Sequence, residues 1–477
     1  MRTYLHNLSH ERPLSFNMGK LVPCGLVEAL PGDRARHSVS ALVRTLPLLA
    51  PLMHKVNVDI ETYFIPTRIL WDEFEDFITG GPAGTSAPTI PQLTSPAETG
   101  YAVGSLCHHL GIRPGVPGIE HCAFPVWAYN KIWNHFYRDQ DLQAEVNEQT
   151  NTTLLDAAWR KDYFTTARPW PQKGPAVVIP LSGNAPVHAS GSPTPGQYFV
   201  NTGSDVPDPV VSLQGQADSD FYADLSSVNA TSIDQFRISN SVQRFMENML
   251  RFGSRYNERL KQLGVRFHDS RLQLPELVGR TRNVVQFSEV LQTAGVSDSE
   301  GDVVGDVGTL RGHGIGSARQ KPYTYRAPEY GWFMTLITVR PVTMYMDGVH
   351  RHWNRKSKFD YWQPEFQNTG QQEILKKEIY AQGTSADDES WGYQDRYDEY
   401  RYMPSYASGE FYSTLDYWHM ARKFTSLPAL NGDFVACNPT DRVFPVNQQL
   451  ADQLQVRVIH NLKIRRGVIP TANPKLQ

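Results

Sequence analysis

Residues 331–346 read Gly-Trp-Phe-Met-Thr-Leu-Ile-Thr-Val-Arg-Pro-Val-Thr-Met-Tyr-Met. Aromatic and β-branched side chains suit a pleated, buried surface, so this run is the clearest strand of the chain. Two earlier runs carry a cleaner alternation. Val56, Val58 and Ile60 alternate with Asn57, Asp59 and Glu61, and Val39, Ala41 and Val43 alternate with Ser38, Ser40, Leu42 and Arg44. A period of two sends one set to a core and the other to polar surroundings. Pro31-Gly32-Asp33 marks a turn before the earlier of these runs. Further strands are expected over 176–179, over 281–291 and over 454–464. Strands gathered at both ends of the chain, with long decorated connections between them, fit a mainly β, antiparallel jelly roll whose sheets protect each other's edges. Strand pattern alone does not separate it from another β-sandwich, and no internal repeat is present.

The bulk numbers set the class. A chain of 477 residues, 40% hydrophobic and 20% charged, is long enough to bury a sizeable core. Its 35 Gly and 33 Pro interrupt regular structure too often for long helices to dominate. The net charge of −3 advertises no general affinity for nucleic acid, although a protein that binds nucleic acid with one face only needs no basic total. Four cysteines at 24, 107, 122 and 437, with no C-x-x-C pair, read as free thiols in a reducing compartment. No apolar run is long enough to span a bilayer, and no secretory signal is visible, so a soluble cytosolic product is expected.

Several segments read as insertions. Trp71 to Ile78 reads as a short helix ended by Gly80-Gly81, and 80–122 as a long surface loop. Pro125, followed by Trp127, Ile132, Trp133 and Phe136, reads as an amphipathic helix. Between Lys173 and Arg237 there is no Lys or Arg, while Asp205, Asp208, Asp218, Asp220 and Asp224 fall among Gly, Ser, Pro and Asn. Residues 183–230 therefore read as an acidic, weakly structured insertion. Its surviving aromatics, Tyr198, Phe199, Phe221 and Tyr222, suit docking on the chain itself or on a neighbour. Ser232-Ile-Asp-Gln235 fits a capping box ahead of a long helix that Gly253 bends or splits. A second acidic, glycine-rich, flexible loop is expected over 294–312.

Candidate chemistry is sparse. Cys107-His108-His109 with His121-Cys122 lacks the spacing that makes ligands converge on a metal. Gly312-His313-Gly314-Ile315-Gly316-Ser317 lacks the Lys-Ser/Thr ending of a phosphate loop and reads as a flexible loop. Asp298, Glu300, Asp302 and Asp306 lack the turn Gly and closing Glu of a calcium loop. No Gly-x-Ser-x-Gly elbow exists, and acids such as Glu373, Glu378 and Asp387 announce no catalytic pair. No enzyme, cofactor or metal is expected. A carbohydrate-binding or carbohydrate-active β-sandwich is the alternative. The most suggestive polar segment is 350–362, where Arg351, His352, Trp353, Arg355, Lys356 and Lys358 mix cations with rings. That mixture suits single-stranded DNA, because cations meet phosphates while rings stack on bases. It equally suits a patch between subunits. Lys463, Arg465 and Arg466 form a second DNA-binding candidate. Arg237, Arg244 and Arg251 read as a solvated helix face.

Several strings, in order, carry a resemblance that covers most of the chain. They are 14–32 (Leu-Ser-Phe-Asn-Met-Gly-Lys-Leu-Val-Pro-Cys onward), Pro51-Leu-Met-His-Lys-Val-Asn-Val58, Phe64-Ile-Pro-Thr-Arg-Ile-Leu-Trp71, Phe74-Glu-Asp-Phe-Ile-Thr-Gly-Gly81, Gln372-Glu-Ile-Leu-Lys-Lys-Glu-Ile-Tyr380 and 391–419. The chain resembles the major capsid proteins of the Microviridae, specifically the gokushovirus-like branch. The resemblance implies an eight-stranded jelly roll with long loop and helical insertions. It also implies self-assembly into a T=1 icosahedral shell, which holds about sixty identical copies. A circular single-stranded DNA genome is expected inside. Implied partners are a DNA pilot protein, a small basic internal packaging protein and a bacterial surface receptor. The 183–230 insertion sits where that branch raises a variable protrusion at the threefold axes, which implies Tyr198, Phe199, Phe221 and Tyr222 as host-receptor candidates, and the virion, assembled in host cytoplasm, is the expected location.

Overall fold

The computed structural model describes residues 2–82, 85–175, 177, 187–189, 221–223, 233–253, 256–264, 273–291, 293, 296–297, 303–305, 308–445 and 451–471. The chain falls into two compact units, Met1–Pro171 with Leu260–Gln477, and Gln172–Arg259.

The larger unit is built on one antiparallel sheet of ten strands. They are β1 (Tyr4–Asn7), β2 (His10–Phe16), β3 (Val22–Ala29), β4 (Arg34–Thr45), β5 (Val56–Pro66), β6 (Glu276–Leu291), β7 (Leu310–Arg319), β8 (Tyr323–Arg326), β9 (Gly331–Pro341) and β10 (Leu454–Arg466). Their order is β1-β10-β4-β7-β6-β5-β9-β3, with β2 on β10 and β8 on β4. β1 and β2 share one edge of β10 in succession, and β7 and β8 share one edge of β4, so the ten segments fill eight places. The sheet curls until its two ends face each other: buried His460 of β10 reaches the Cys24 carbonyl of β3 at 3.0 Å. The fold is the expected mainly β jelly roll.

Period-two patterning builds the inner face. Along β4, Ala35, His37, Val39, Ala41 and Val43 are buried while Arg34, Arg36, Leu42 and Arg44 are exposed. The inward residues of β4, β5, β9 and β10 meet in one core with Phe16, Met18, Val22 and Cys24. The expected turn at Pro31-Gly32-Asp33 carries the chain from β3 to β4. Gly32 takes φ +85, and the Asp33 carboxylate accepts the Leu30 N–H at 2.9 Å. β9 ends at Pro341, where the ladder loses a donor, so the 331–346 run is strand only in its first part.

One expectation is sharpened and one needs correction. The polar surroundings of Asn57, Asp59 and Glu61 are ionic groups of the protein itself, because every residue of β5 is buried. Asp59 accepts from Arg282 and Arg340 at 2.6 Å each and from Arg160 at 3.3 Å. Burial pushes its carboxyl up, but Arg340, Arg282 and Arg160 together hold it below the ordinary carboxylate range. The glycine-rich run 312–317 is not a flexible loop but part of β7. Gly312, Gly314 and Gly316 all face inward, and a Cβ on Gly312 would stand 2.2 Å from the Ala50 carbonyl oxygen. Glycine here serves close approach, not flexibility.

The outer face of β5, β9 and β3 is covered by the helix Phe124–Ile132, which starts with Pro125 as expected. Tyr129 donates to the Leu21 carbonyl at 2.8 Å and Trp133 to the Asp156 carbonyl at 2.8 Å. Each such ring contributes about 1.5–3 kcal/mol by burial, which fixes the helix to the sheet. The 80–122 stretch is more regular than expected. It holds the helix Leu106–Leu110, capped by Ser105, and a hairpin of Gln92–Thr94 with Glu120–Cys122. Phe74–Thr79 is the short helix ended by Gly80. The connection after β9 adds a satellite core around Tyr163, Tyr345, Ile374 and Phe434, with a hairpin of Gln371–Leu375 and Ser390–Asp395.

In the smaller unit the helix Ile233–Phe252 stops at Gly253, whose φ of +92 ends the helical run. A short hairpin pairs Val187–Ala189 with Phe221–Ala223. The proposed strand over 176–179 and the capping box at Ser232 lie outside the described residues, apart from residue 177 and the helix itself. Within 294–312, Val296–Ser297 pairs with Val303–Gly305, and β7 begins at Leu310.

Candidate functional site

The 350–362 segment is folded by its own side chains. The His350 ring caps the turn Arg351–Asn354, and Ser357 with Asp360 forms a capping box on Lys358–Asp360. Its two arginines point inward. Arg351 donates to Glu378 at 2.9 Å, and Arg355 donates to Glu399 at 3.0 Å; both carboxylates are buried. Glu378 also accepts from Tyr163 at 3.0 Å and from the Leu375 N–H, and Glu399 from Gln372 at 2.7 Å. The Arg355 guanidinium lies over the rings of Tyr400 and Tyr361 at 4.9 and 5.6 Å. Breaking such a buried pair costs about 3–5 kcal/mol, so these guanidiniums are committed to holding the segment. Lys356 and Lys377 both donate to exposed Asp388, and their hydrogen bonds draw that carboxyl down to about 2.

Beside His352, Lys356 and Lys358, what the segment leaves to solvent is aromatic. Trp353 is 76% exposed and Tyr406 66% exposed, and with Met403 they line one groove, while Phe359, Tyr361, Trp362 and Tyr400 are exposed further along. A groove of about 360 Å³ runs beneath Trp353, lined by Tyr163, Met346, Val349, Met403 and Tyr406. Trp, Tyr, Met and Arg are the residues enriched at protein interfaces. A single soluble molecule seldom leaves so many large rings together in water.

The second candidate, on β10, divides. Arg466 donates to buried Asp33 at 2.6 Å and to the Glu28 carbonyl at 3.1 Å. Lys463 and Arg465 stand exposed on the opposite face from the core, directly across from Arg36 and Arg34 of β4. Sequence reading missed Arg34 and Arg36. Their spacing of two in a strand is a visible signal, but the strand they face lies more than 400 residues away.

Residues 1–476 of the 477 match the family described as Capsid protein (F protein). It is 34% identical over 473 residues to the capsid protein VP1 of Bdellovibrio phage phiMH2K, covering 91% of this chain and 88% of that protein. It is 32% identical over 544 residues to capsid protein VP1 of Chlamydia phage 1, covering 92% and 90%. The capsid protein VP1 of Spiroplasma virus 4 is 28% identical over 491 residues, covering 91% and 87%. The chain belongs to the capsid protein family of the Microviridae.

Among the described residues no three His, Cys, Asp or Glu side chains are arranged to hold a metal ion. His108 accepts from the Gly104 N–H at 3.0 Å, and His121 lies 3.0 Å from the Tyr101 hydroxyl. Cys24, Cys107 and Cys437 are buried free thiols, and burial pushes Cys24 and Cys437 up to about 12. Among the described residues no helix is long and apolar enough to cross a membrane. Asp387 turns its carboxylate onto the Gln382 and Gly383 N–H groups. Phe221 and Tyr222 fall in the strand paired with Val187–Ala189. Tyr198, Phe199, Asp298, Glu300, Asp302 and Asp306 lie outside the described residues.

Proposed function

We propose that this capsid protein closes on itself as a T=1 icosahedral shell around a circular single-stranded DNA genome. It works as a structural brick and not as an enzyme. The observation that carries the reading is the ring-rich surface around Trp353 on a chain that belongs wholly to a capsid family. In a closed shell every copy presents the same patches, so a modest contact is multiplied by symmetry. The 350–362 segment supports subunit contact better than genome contact, since Arg351 and Arg355 are held by Glu378 and Glu399. His352, Trp353 and Lys358 are the exposed members of that candidate that a neighbour or a DNA strand could reach, with Lys356 exposed but paired to Asp388.

The finer expectations follow from the family. The insertion over 183–230 is read as the threefold protrusion that touches a bacterial surface receptor, with Tyr198, Phe199, Phe221 and Tyr222 as its ring candidates. A DNA pilot protein and a small basic packaging protein are read as partners inside a virion assembled in host cytoplasm. Electron microscopy of the purified full-length product tests the central claim: small isometric particles of uniform size are expected. A chain that stays monomeric at every concentration and salt would overturn it. Deleting residues 190–225 should abolish adsorption while particles persist, and unchanged adsorption removes the receptor role.

A further inference from the structure

Outside the ring-rich surface, one part of the large sheet gathers exposed cations side by side. Several other outward cations of the sheet are matched across strands to acids. Arg280 of β6 pairs with Glu61 of β5 at 2.8 Å, Arg282 with Asp59 at 2.6 Å, and Arg457 of β10 with Glu11 of β2 at 2.5 Å. Where β1, β10, β4 and β8 lie side by side, the register instead sets like against like. One row runs Leu5, Arg465, Arg34, Arg326; the next runs Asn7, Lys463, Arg36, Thr324. All five cations are exposed, and among the described residues none has an acidic partner. Arg466, next in line, is the one that turns aside to Asp33.

Neighbouring strands stand about 4.8 Å apart and alternate residues about 6.7 Å apart, so these charges lie within one screening length of each other. Like charges directly opposite are destabilising. The sheet tolerates the repulsion along two rows, and an anion with regularly spaced charges would relieve it. No aromatic ring stands outward in the two rows; Tyr323 and Tyr325 of β8 alternate away from Thr324 and Arg326 and are partly buried. An array of cations without stacking partners holds a backbone and ignores base identity.

We infer that the face formed by Arg34, Arg36, Arg326, Lys463 and Arg465 is the surface on which this capsid protein holds the phosphate backbone of single-stranded DNA. The inference rests on the reading that the shell encloses such a genome, and it moves the genome contact from the 350–362 segment to the jelly roll itself. Contact here is sequence-independent and steeply salt-dependent.

The test uses the full chain with Arg34, Arg36, Lys463 and Arg465 all changed to Gln. Particle formation is followed by electron microscopy, and binding of a fluorescent mixed-sequence single strand of about 30 nucleotides is measured from about 50 to about 300 mM NaCl. Particles or soluble folded chain should persist with an unchanged or raised melting temperature, because repulsion has been removed. Affinity should fall at least about tenfold, and the salt slope should flatten by about 0.7 for each phosphate that the variant no longer neutralises. Unchanged affinity and slope in a folded variant overturns the inference, even where particles form normally. Equal displacement of the strand by polyglutamate of matched charge overturns the choice of phosphate over carboxylate. A wild-type chain that never assembles defeats the shell reading instead, and the binding measurement still decides the surface.

Discussion

The Nε2 of His37 lies 3.1 Å from the Nδ1 of His460, between the two ends of the curled sheet. The contact has a fixed direction. His460 Nε2 faces the Cys24 carbonyl, which can only accept, so that nitrogen carries the hydrogen. His460 Nδ1 must then accept from His37 Nε2, and His37 Nδ1 accepts from the Tyr323 hydroxyl at 2.8 Å. His10 stacks on His460 with ring centroids 4.6 Å apart. The relay joins β8, β4, β10 and β3, and it works only while both imidazoles are neutral.

Acid should therefore loosen the barrel. Burial is the main force lowering His37 to about 4 and His460 to about 3, with neighbouring histidines adding to it. An unfolded histidine titrates near 6.5, so the unfolded chain takes up more protons as pH falls below that value. Stability is full above about pH 6.5 and drains away between there and about pH 4 for His37 or about pH 3 for His460, by an order of 3 kcal/mol or more for each ring. His54, lowered to about 4 chiefly by burial, adds to the same window. Melting temperature measured from about pH 7.5 to about pH 4 should drop steeply, and His37→Gln with His460→Gln should flatten the curve while lowering its top. A double variant that keeps the full wild-type slope would remove the relay from the account.

A second expectation concerns Asp59, the one acid shared by Arg160, Arg282 and Arg340. Asp59→Asn keeps the shape and leaves three guanidiniums crowded without their counter-ion. Removing one member of a buried ion group costs about 3–5 kcal/mol. Urea unfolding of the unassembled chain should show a loss of that size, against less than about 1 kcal/mol for Lys423→Gln, whose pair with Asp416 is partly exposed. Equal losses for the two variants would mean the cluster is not what holds β5, β6 and β9 together.

The glycines of β7 make a third case. A Cβ at Gly314 would stand 2.7 Å from both Phe287 and the Thr45 methyl, and at Gly312 it would meet backbone. Overpacking of this kind costs about 1–3 kcal/mol. Gly312→Ala should be the worse of the two, because the Ala50 carbonyl cannot rotate away as a side chain can. Thermal unfolding ranks them, with exposed Ser317→Ala as the reference. A Gly312→Ala protein as stable as that reference contradicts the packing described.

These same glycines show where sequence reading stops. Alternation in β4 and at the start of β5 was legible because each strand carries its own period, and Pro125 and Gly80 marked helix ends by their backbone limits. β7 was not legible, since Gly312, Gly314 and Gly316 remove the very side chains that would have shown the period. What makes them necessary is Ala50, Thr45, Val285 and Phe287, supplied by distant parts of the chain. The candidate sites divide in the same way. Cations interleaved with rings at 350–362 were visible as composition, but their partners Glu378 and Glu399 come from later turns, so a string of charges looked free when half of it was spent. Arg34 and Arg36 were passed over because their meaning lies in their register with Arg465 and Lys463.

The last expectation separates holding the segment from using it. Trp353 touches solvent over most of its surface, so Trp353→Ala should leave the folded chain within about 0.5 kcal/mol of wild type, as surface changes do. If its ring packs against a neighbouring copy, the same change should cost assembly heavily, because buried Trp anchors are worth about 2 kcal/mol or more at interfaces. Arg355→Ala should behave in the opposite sense: it strands Glu399 in the interior and frees Tyr400, so the monomer itself is destabilised. Particle yield by sedimentation, set beside the melting temperature of unassembled chain, distinguishes the two. Normal particles from a Trp353→Ala, Tyr406→Ser chain would show that this ring-rich surface faces outward, and that the copies meet somewhere else.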